Sequence, residues 1–251
     1  MQRIAVFSLP ESTGEGAKVP VPSATWRSRW VTAGVGTYDD WNRMRVVSLR
    51  DRLMLVAGVP AANDWLMTHI DRIAGVVSDQ VGAAVPLDLQ ERAVGVRWSD
   101  DRLWGYRFPE VVVSKSATDW GPHFSPDLSA ELRDALARKM ERSLRSELKS
   151  WGRLSDELDN DDPFFIVSQP GIAHGNPAIA PERSGHGKPV SVLARRHMML
   201  LSYWRFEGEL FLGPLASLGF GRMIRCQPSE LLDRYTQKAL LALPSTTKEL
   251  R

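Results

Sequence analysis

Apolar residues follow one another near the start of the chain, from Ile4 to Phe7, and Arg3 to Leu9 reads as a first strand. Residues 10–23 carry Pro10, Gly14, Gly16, Pro20 and Pro22 among polar positions, the composition of a loop. After Thr25-Trp26-Arg27-Ser28-Arg29-Trp30 and the Gly34-Val35-Gly36 break, Thr37 or Asp39 is placed to cap a helix. That helix would run through about Ala57 and stop at Gly58 and Pro60; its middle, Arg45 to Val56, has a hairpin as its alternative. Asn63 and Asp64 form the next cap. Leu66, Ile70, Ile73, Val77 and Val81 follow at helical spacing. Residues 92–98 and 103–113 have strand character, and Ser99 to Arg102 would turn one into the other as a hairpin.

A longer amphipathic pattern covers about Ser125 to Arg153. Ser125 suits the N-cap, Pro126 the first helical position and Asp127 the positive end of the helix dipole. At 100° per residue, Arg138, Arg142, Arg145 and Lys149 fall within about 60° of one another. Leu132, Leu136, Met140, Leu144 and Trp151 gather on the other side. The helix thus predicts an apolar seam for packing and a basic stripe able to follow a nucleic-acid backbone. Asp156 to Asp162 reads as an acidic linker and Phe164 to Ser168 as a strand. Residues 169–189, rich in Gly and Pro and carrying Arg183, His186 and Lys188, form a loop. Val190 to Trp204, with Arg195-Arg196-His197, fits strand or helix. Strands at 210–212 and 220–226 and an amphipathic helix from Ser229 to Leu243 complete the chain. No internal repeat is visible.

Composition narrows the function classes. With 43% hydrophobic and 25% charged residues among 251, the chain is an ordinary globular protein. Its net charge of +2 means that any nucleic-acid affinity must come from local clusters. A single cysteine, Cys226, rules out an intramolecular disulfide and a cysteine-rich zinc site, and suits the cytoplasm. No apolar run approaches the ~18 residues of a membrane span. The start reads as a strand rather than a signal peptide. Neither a P-loop, a dinucleotide fingerprint nor a zinc signature is present. The nine tryptophans fit a packed core better than a row of base-stacking platforms.

One stretch near the end carries a specific signal: Gly213, a loop over 214–218, then Gly219-Phe220-Gly221-Arg222. Two glycines around an aromatic allow backbone N–H groups to approach an anion closely, and Arg222 adds a forked charge suited to phosphate. The stretch resembles the glycine-rich loop of the RAMP superfamily, the ferredoxin-like RNA-binding proteins of CRISPR systems. The loop of that family usually carries Lys or Arg, whereas Pro214-Leu215-Ala216-Ser217-Leu218 has none. Among members, the chain looks most like the repeat-processing endoribonuclease of type IV systems, and next like that of type I-F.

The resemblance implies an α+β fold of two ferredoxin-like domains with an inserted basic helical finger. The expected division is 1–121 for the first domain, 122–160 for the finger and its linker, and 161–251 for the second domain. It also implies metal-independent cleavage of precursor CRISPR RNA at the repeat hairpin, with no cofactor. In that reaction a 2′-hydroxyl attacks the adjacent phosphate and leaves a 2′,3′-cyclic phosphate. The partners implied are the repeat hairpin RNA, to which the enzyme stays bound, and other subunits of a CRISPR ribonucleoprotein. Many members supply a histidine early in the chain. Here the first is His69, which sits in the apolar helical pattern and reads as structural. Arg27, Arg29 and Tyr38 are therefore the catalytic candidates, acting through position and charge, because arginine is too weak an acid to serve as a base. Arg138, Arg142, Arg145, Lys149, Arg195, Arg196, Gly219, Phe220, Gly221 and Arg222 are the RNA-binding candidates. The alternative is a non-catalytic RAMP-type subunit that scaffolds guide RNA with the same loop and helix.

Overall fold

The computed structural model describes residues 1–10, 21–99, 102–114, 121–124, 128–154, 163–165, 167–169, 171–176 and 192–227. The expected acidic linker, the expected terminal helix 229–243 and Arg183, His186 and Lys188 lie outside these residues.

The first unit contains β1 (Gln2–Ser8), α1 (Ser23–Thr32), α2 (Tyr38–Asn42), β2 (Met44–Ser48), β3 (Arg52–Ala57), α3 (Pro60–Val81) and β4 (Leu87–Arg92). Its four strands lie in the order β2-β3-β1-β4, every neighbouring pair antiparallel. That is the strand order of a ferredoxin-like βαββαβ unit. The helix expected over 39–57 is a correction. Thr37 does cap a helix, through a reciprocal capping box with Asp40, but the helix ends at Asn42. Arg45 to Val56 takes the hairpin alternative, because Val46, Val47, Leu53, Leu55 and Val56 need the two faces of a strand. The α3 helix starts at Pro60, ahead of the expected cap. Asn63 instead ties down the N-terminal strand: its Oδ1 accepts the Arg3 N–H at 2.8 Å and its Nδ2 donates to Met1 O at 2.9 Å. The buried positions of α3 are Ala62, Leu66, Ile70, Ile73 and Val77, the predicted stripe.

The tryptophans fill the space between the helices. Trp30 stacks on Trp41 with ring centroids 4.4 Å apart, Trp26 stacks on Trp30 at 5.7 Å, and Trp65 meets Trp41 edge-on at 5.1 Å. His69 stacks on Trp65 at 4.6 Å, and its Nδ1 lies 2.8 Å from Trp65 O, the structural role expected for it.

The second unit contains β6 (Trp104–Ser114), α4 (Ala130–Ser150), β7 (Val167–Gln169), β8 (Ile172–Asn176), β9 (Val192–Ser202) and β11 (Ile224–Cys226). A separate ribbon pairs β5 (Gly95–Trp98) with β10 (Trp204–Glu207). The sheet runs β11-β6-β9-β7, with β8 continuing beside β9 in the same register as β7. Counting β7 and β8 as one strand, this repeats the order of the first unit. The segment 203–223 stands where a second helix would cross. The hairpin expected between 92–98 and 103–113 does not form: β5 pairs with β10, while β6 pairs with β9 and β11. The basic helix connects β6 to β7 as the crossover of this unit. Its cap is Ser129, whose Oγ accepts the Leu132 N–H, rather than Ser125. Val192–Ser202 settles the open choice at 190–204 as strand. The expected strand at 210–212 is a single bridge, Phe211 to Arg222. Among the described residues no helix is long and apolar enough to cross a membrane.

The two units share one core. A single apolar cluster runs from Phe7, Leu55 and Ile73 to Phe108, Met140, Leu144 and Leu200. Buried Gln2 links β1 to the second unit, donating to Glu209 O at 3.1 Å while its Oε1 accepts the Glu209 N–H at 2.9 Å.

Candidate functional site

The glycine-rich loop lies across the seam between the units. It starts at Gly213, whose N–H donates to Ser143 Oγ of α4 at 2.7 Å, and passes through a short 3-10 turn, Ala216–Leu218. Gly219 and Gly221 adopt φ of +83° and +72°, conformations that side chains disfavour. A Cβ on Gly219 would sit 2.4 Å from Val46 O of β2, and one on Gly221 would sit 1.7 Å from Leu212 O. Close backbone approach is therefore real, but the approached group is the protein's own chain. The Gly221 N–H donates to Glu110 O at 2.8 Å and the Gly219 N–H to Ala216 O at 2.9 Å. The expectation that these N–H groups face an anion is corrected: both are used inside the fold. Phe220 packs with Leu215 and Leu218 over Val112, Val192 and Ala194.

Beside the loop opens a cleft of about 370 Å³. Its walls come from the start of α1 (Ser23, Ala24), the end of β2 (Val47, Ser48), Glu110 of β6, and Gly219, Phe220 and Arg222 of the loop. Arg222 is only partly available to it, because its Nε donates to Glu209 Oε2 at 2.8 Å. The same carboxylate takes Arg92 Nη1 at 2.6 Å through its other oxygen.

Of the catalytic candidates, Arg27 is buried at 7% exposure. Its Nη1 donates to Ser217 Oγ at 3.1 Å, and its Nη2 to Asn42 Oδ1 at 2.9 Å and Tyr38 O at 3.4 Å. It fastens α1 and α2 to the glycine-rich loop. Arg29 is half-buried, lies 5.2 Å from the Trp26 ring centroid, and keeps a buried Nη1 with no hydrogen-bond partner among the described residues. Tyr38 is half-buried at the start of α2. Among the described residues, no histidine lines the cleft. His123 lies instead on a short 3-10 turn, Gly121–Phe124, where burial, then Arg195 and Lys139, hold its pKa below the ordinary value.

The basic candidates divide. Arg138, Arg142 and Lys149 are exposed along one side of α4, as the spacing predicts. Arg145 is turned in: its side chain is 17% exposed, its Nε lies 3.1 Å from Glu141 Oε1, and its guanidinium covers the Phe164 ring at 4.5 Å. Glu141 is held in turn by the Phe164 N–H, which explains why helical angle alone misplaces Arg145. Arg195 is buried at 2%, donating to His123 O and Gly171 O at 3.1 and 2.8 Å. That corrects its place among the exposed RNA-binding candidates. Arg196 faces outward, 3.9 Å from Glu110.

No protein-family model and no curated protein sequence matches the chain. Solved structures do. A Csf5 structure, described as a CRISPR-Cas type IV Cas6 crRNA endonuclease, aligns at TM-score 0.64 with 13% identity, over 90% of this chain and 99% of that one. A Cas6b structure aligns at 0.52 with 12% identity, over 90% and 99%. The chain has the fold of the Cas6 crRNA endonucleases. The two ferredoxin-like units expected from the glycine-rich loop are thus found, with the loop bracing their seam.

A second cationic surface within this fold escaped the sequence reading. Arg102, Arg205 and Arg225, far apart in the chain, gather on the ring of Trp104. The available signal was the repeated neighbourhood of Arg and Trp in the sequence. Nothing short of the strand order could unite the three.

Proposed function

We propose that the protein is an endoribonuclease that cuts precursor CRISPR RNA at its repeat hairpin. The observation that carries this reading is the Csf5 likeness over nine-tenths of the chain, joined to a glycine-rich loop at the seam. In this reading the exposed cations Arg138, Arg142 and Lys149 hold the duplex stem by its phosphates, since the deep major groove of A-form RNA limits base reading. The unpaired strand enters the cleft between α1, β2 and the loop. Cleavage is metal-independent: the 2′-hydroxyl loses its proton to water and attacks the neighbouring phosphorus, the bond to the 5′-oxygen breaks, that oxygen takes a proton from water to leave as a 5′-hydroxyl, and a 2′,3′-cyclic phosphate remains. Arg29 neutralises charge on the phosphorane and Tyr38 helps align the strand. Arg27 acts as a positioning residue through Ser217. After cleavage the protein stays on the product hairpin as a subunit of a cytoplasmic CRISPR ribonucleoprotein. Its two units divide between Arg92 and Trp104, ahead of the boundary expected at 121, with the β5–β10 ribbon spanning them and the basic helix part of the second unit rather than a separate finger over 122–160.

The burial of the catalytic candidate Arg27 among three acceptors of the fold favours a second reading, a non-catalytic subunit that scaffolds guide RNA. One experiment separates the two. Purified protein is incubated with end-labelled repeat RNA in chelator, alongside RNA carrying a 2′-deoxy sugar at the cut site. Cleavage of the first RNA alone, with cyclic phosphate ends, supports the endoribonuclease. Tight binding without cleavage supports the scaffold, and strict magnesium dependence sinks the mechanism.

A further inference from the structure

Trp104 opens β6 with Arg102 just before it; Arg205 lies on the ribbon strand β10 and Arg225 on the edge strand β11. Their guanidinium carbons lie 4.3, 5.2 and 5.4 Å from the centroid of the Trp104 ring. A ring face attracts each cation, and stacking leaves the in-plane N–H donors of a guanidinium available to an oxyanion. Three like charges on one ring repel each other, so the arrangement calls for anions.

Among the described residues, the carboxylates on this side do not supply them all. Glu209 is held by Arg92 and Arg222, at 2.6 and 2.8 Å. Glu207 lies 3.5 Å from Arg97 and 3.5 Å from Arg205, whose buried Nε has no hydrogen-bond partner among the described residues. Arg102 and Arg225 are exposed, and no carboxylate forms an ion pair with either among the described residues. The cluster borders a cleft of about 580 Å³, whose walls include Arg92, Arg205, Arg222 and Arg225 against Glu207 and Glu209.

We infer that Arg102, Arg205 and Arg225, arrayed on Trp104, form a phosphate seat for an RNA strand, separate from the basic side of α4. The ligand chemistry is a phosphate oxyanion. A phosphodiester of a strand fits better than a free phosphate, because donors spread over one ring and along a cleft match successive phosphates. A strand occupying the seat would be anchored at the β11 edge while the stem rests elsewhere. The inference rests on the RNA-processing reading for the identity of that strand.

The test compares the parent with Arg102→Gln/Arg225→Gln, two exposed changes expected to leave folding intact by circular dichroism. Binding is measured across a salt series for a hairpin with single-stranded flanks, a hairpin trimmed to its stem, and an unstructured strand. The flanked hairpin should bind the variant about tenfold more weakly, with a salt slope shallower by about 1.4 units for two lost single-strand contacts. The trimmed hairpin should bind both proteins alike. Equal affinity and slope for the flanked hairpin would overturn the seat. Should the parent bind no hairpin at all, the proposed function fails, and the unstructured strand decides the seat: arginine-dependent binding keeps it, and anything else overturns it. A thermal shift with inorganic phosphate addresses the other source. Arginine-dependent stabilisation by phosphate, with RNA affinity unchanged in the variant, would assign the seat to a free phosphate and overturn the RNA inference.

Discussion

Arg45 Nη2 on β2 lies 3.1 Å from Glu147 Oε2 on α4, with the two side chains only 12% and 8% exposed. The pair crosses the seam between the units. Burial holds the Glu147 carboxyl above the usual carboxylate range, while Arg45 pulls it down. Between its unfolded and raised folded pKa values, the folded state holds the extra proton. The contribution of Glu147 to stability is therefore fully present below its unfolded value and is lost as pH rises through the folded one. Removing Arg45 alone strands a buried charge, a loss of about 3 kcal/mol at neutral pH. Arg45→Met should show that loss in urea unfolding at neutral pH and a smaller one as the solution is acidified and Glu147 takes up a proton. Arg45→Met/Glu147→Leu should regain most of the stability. An Arg45→Met loss that does not change with pH would contradict this account.

From α1, Arg27 holds three acceptors, two on α2 and one on the glycine-rich loop, so its effect on cleavage should pass through structure. Arg27→Ala is expected to cost about 2 kcal/mol, the order for a buried charged donor whose acceptors are left without it. Ser217→Ala should cost less and in the same direction. Single-turnover cleavage by Arg27→Ala should recover on cooling, as the folded fraction recovers. Arg29→Ala should instead slow cleavage with little change in thermal stability. A cold, fully folded Arg27→Ala that still cleaves far below the parent would return Arg27 to the chemistry.

Gly219 needs φ of +83° and faces Val46 O across a gap that a Cβ would cut to 2.4 Å. Gly219→Ala should therefore lose about 2 kcal/mol or more, beyond the ordinary cost of a positive φ. Gly221→Ala, whose Cβ would meet Leu212 O at 1.7 Å, should be worse. Stability and RNA binding should fall together in both. A variant that keeps the parent's melting temperature and loses only RNA would show that these glycines serve the ligand.

The legible parts of this fold were those whose signal is local. The spacing of Leu66, Ile70, Ile73 and Val77 gave α3, and that of Leu136, Met140 and Leu144 gave the buried side of α4. The glycine-rich loop was found by its residues, yet its role was not, because the partner of Gly219 is Val46, distant in sequence. The pairing of 95–98 was missed for a related reason. A nearby turn favours a local hairpin, but β5 found β10, more than a hundred residues away, where Trp98 meets Trp204 edge-on at 4.9 Å. Charge was read least well. Helical angle places Arg145 beside Arg142 but says nothing of Glu141 and Phe164, which draw it inward.

That inward turn sharpens the expectation for α4. Arg138, Arg142 and Lys149 are exposed, whereas Arg145 is held by an ion pair and a ring. If the stem of the RNA rests on this side, each lost phosphate contact should lower the slope of log affinity against log salt by about 0.9 for a duplex. Arg138→Ala/Arg142→Ala/Lys149→Ala should then flatten the slope for a hairpin by about two to three units, with stability changing by only ~0.5 kcal/mol per exposed site. Arg145→Ala should do the reverse, losing stability through Glu141 and Phe164 while the slope stays close to that of the parent. Both variants are measured by filter binding over a salt series beside a thermal melt. A triple variant that binds the hairpin like the parent at every salt concentration would leave these cations as a solvated face and move the stem to another surface.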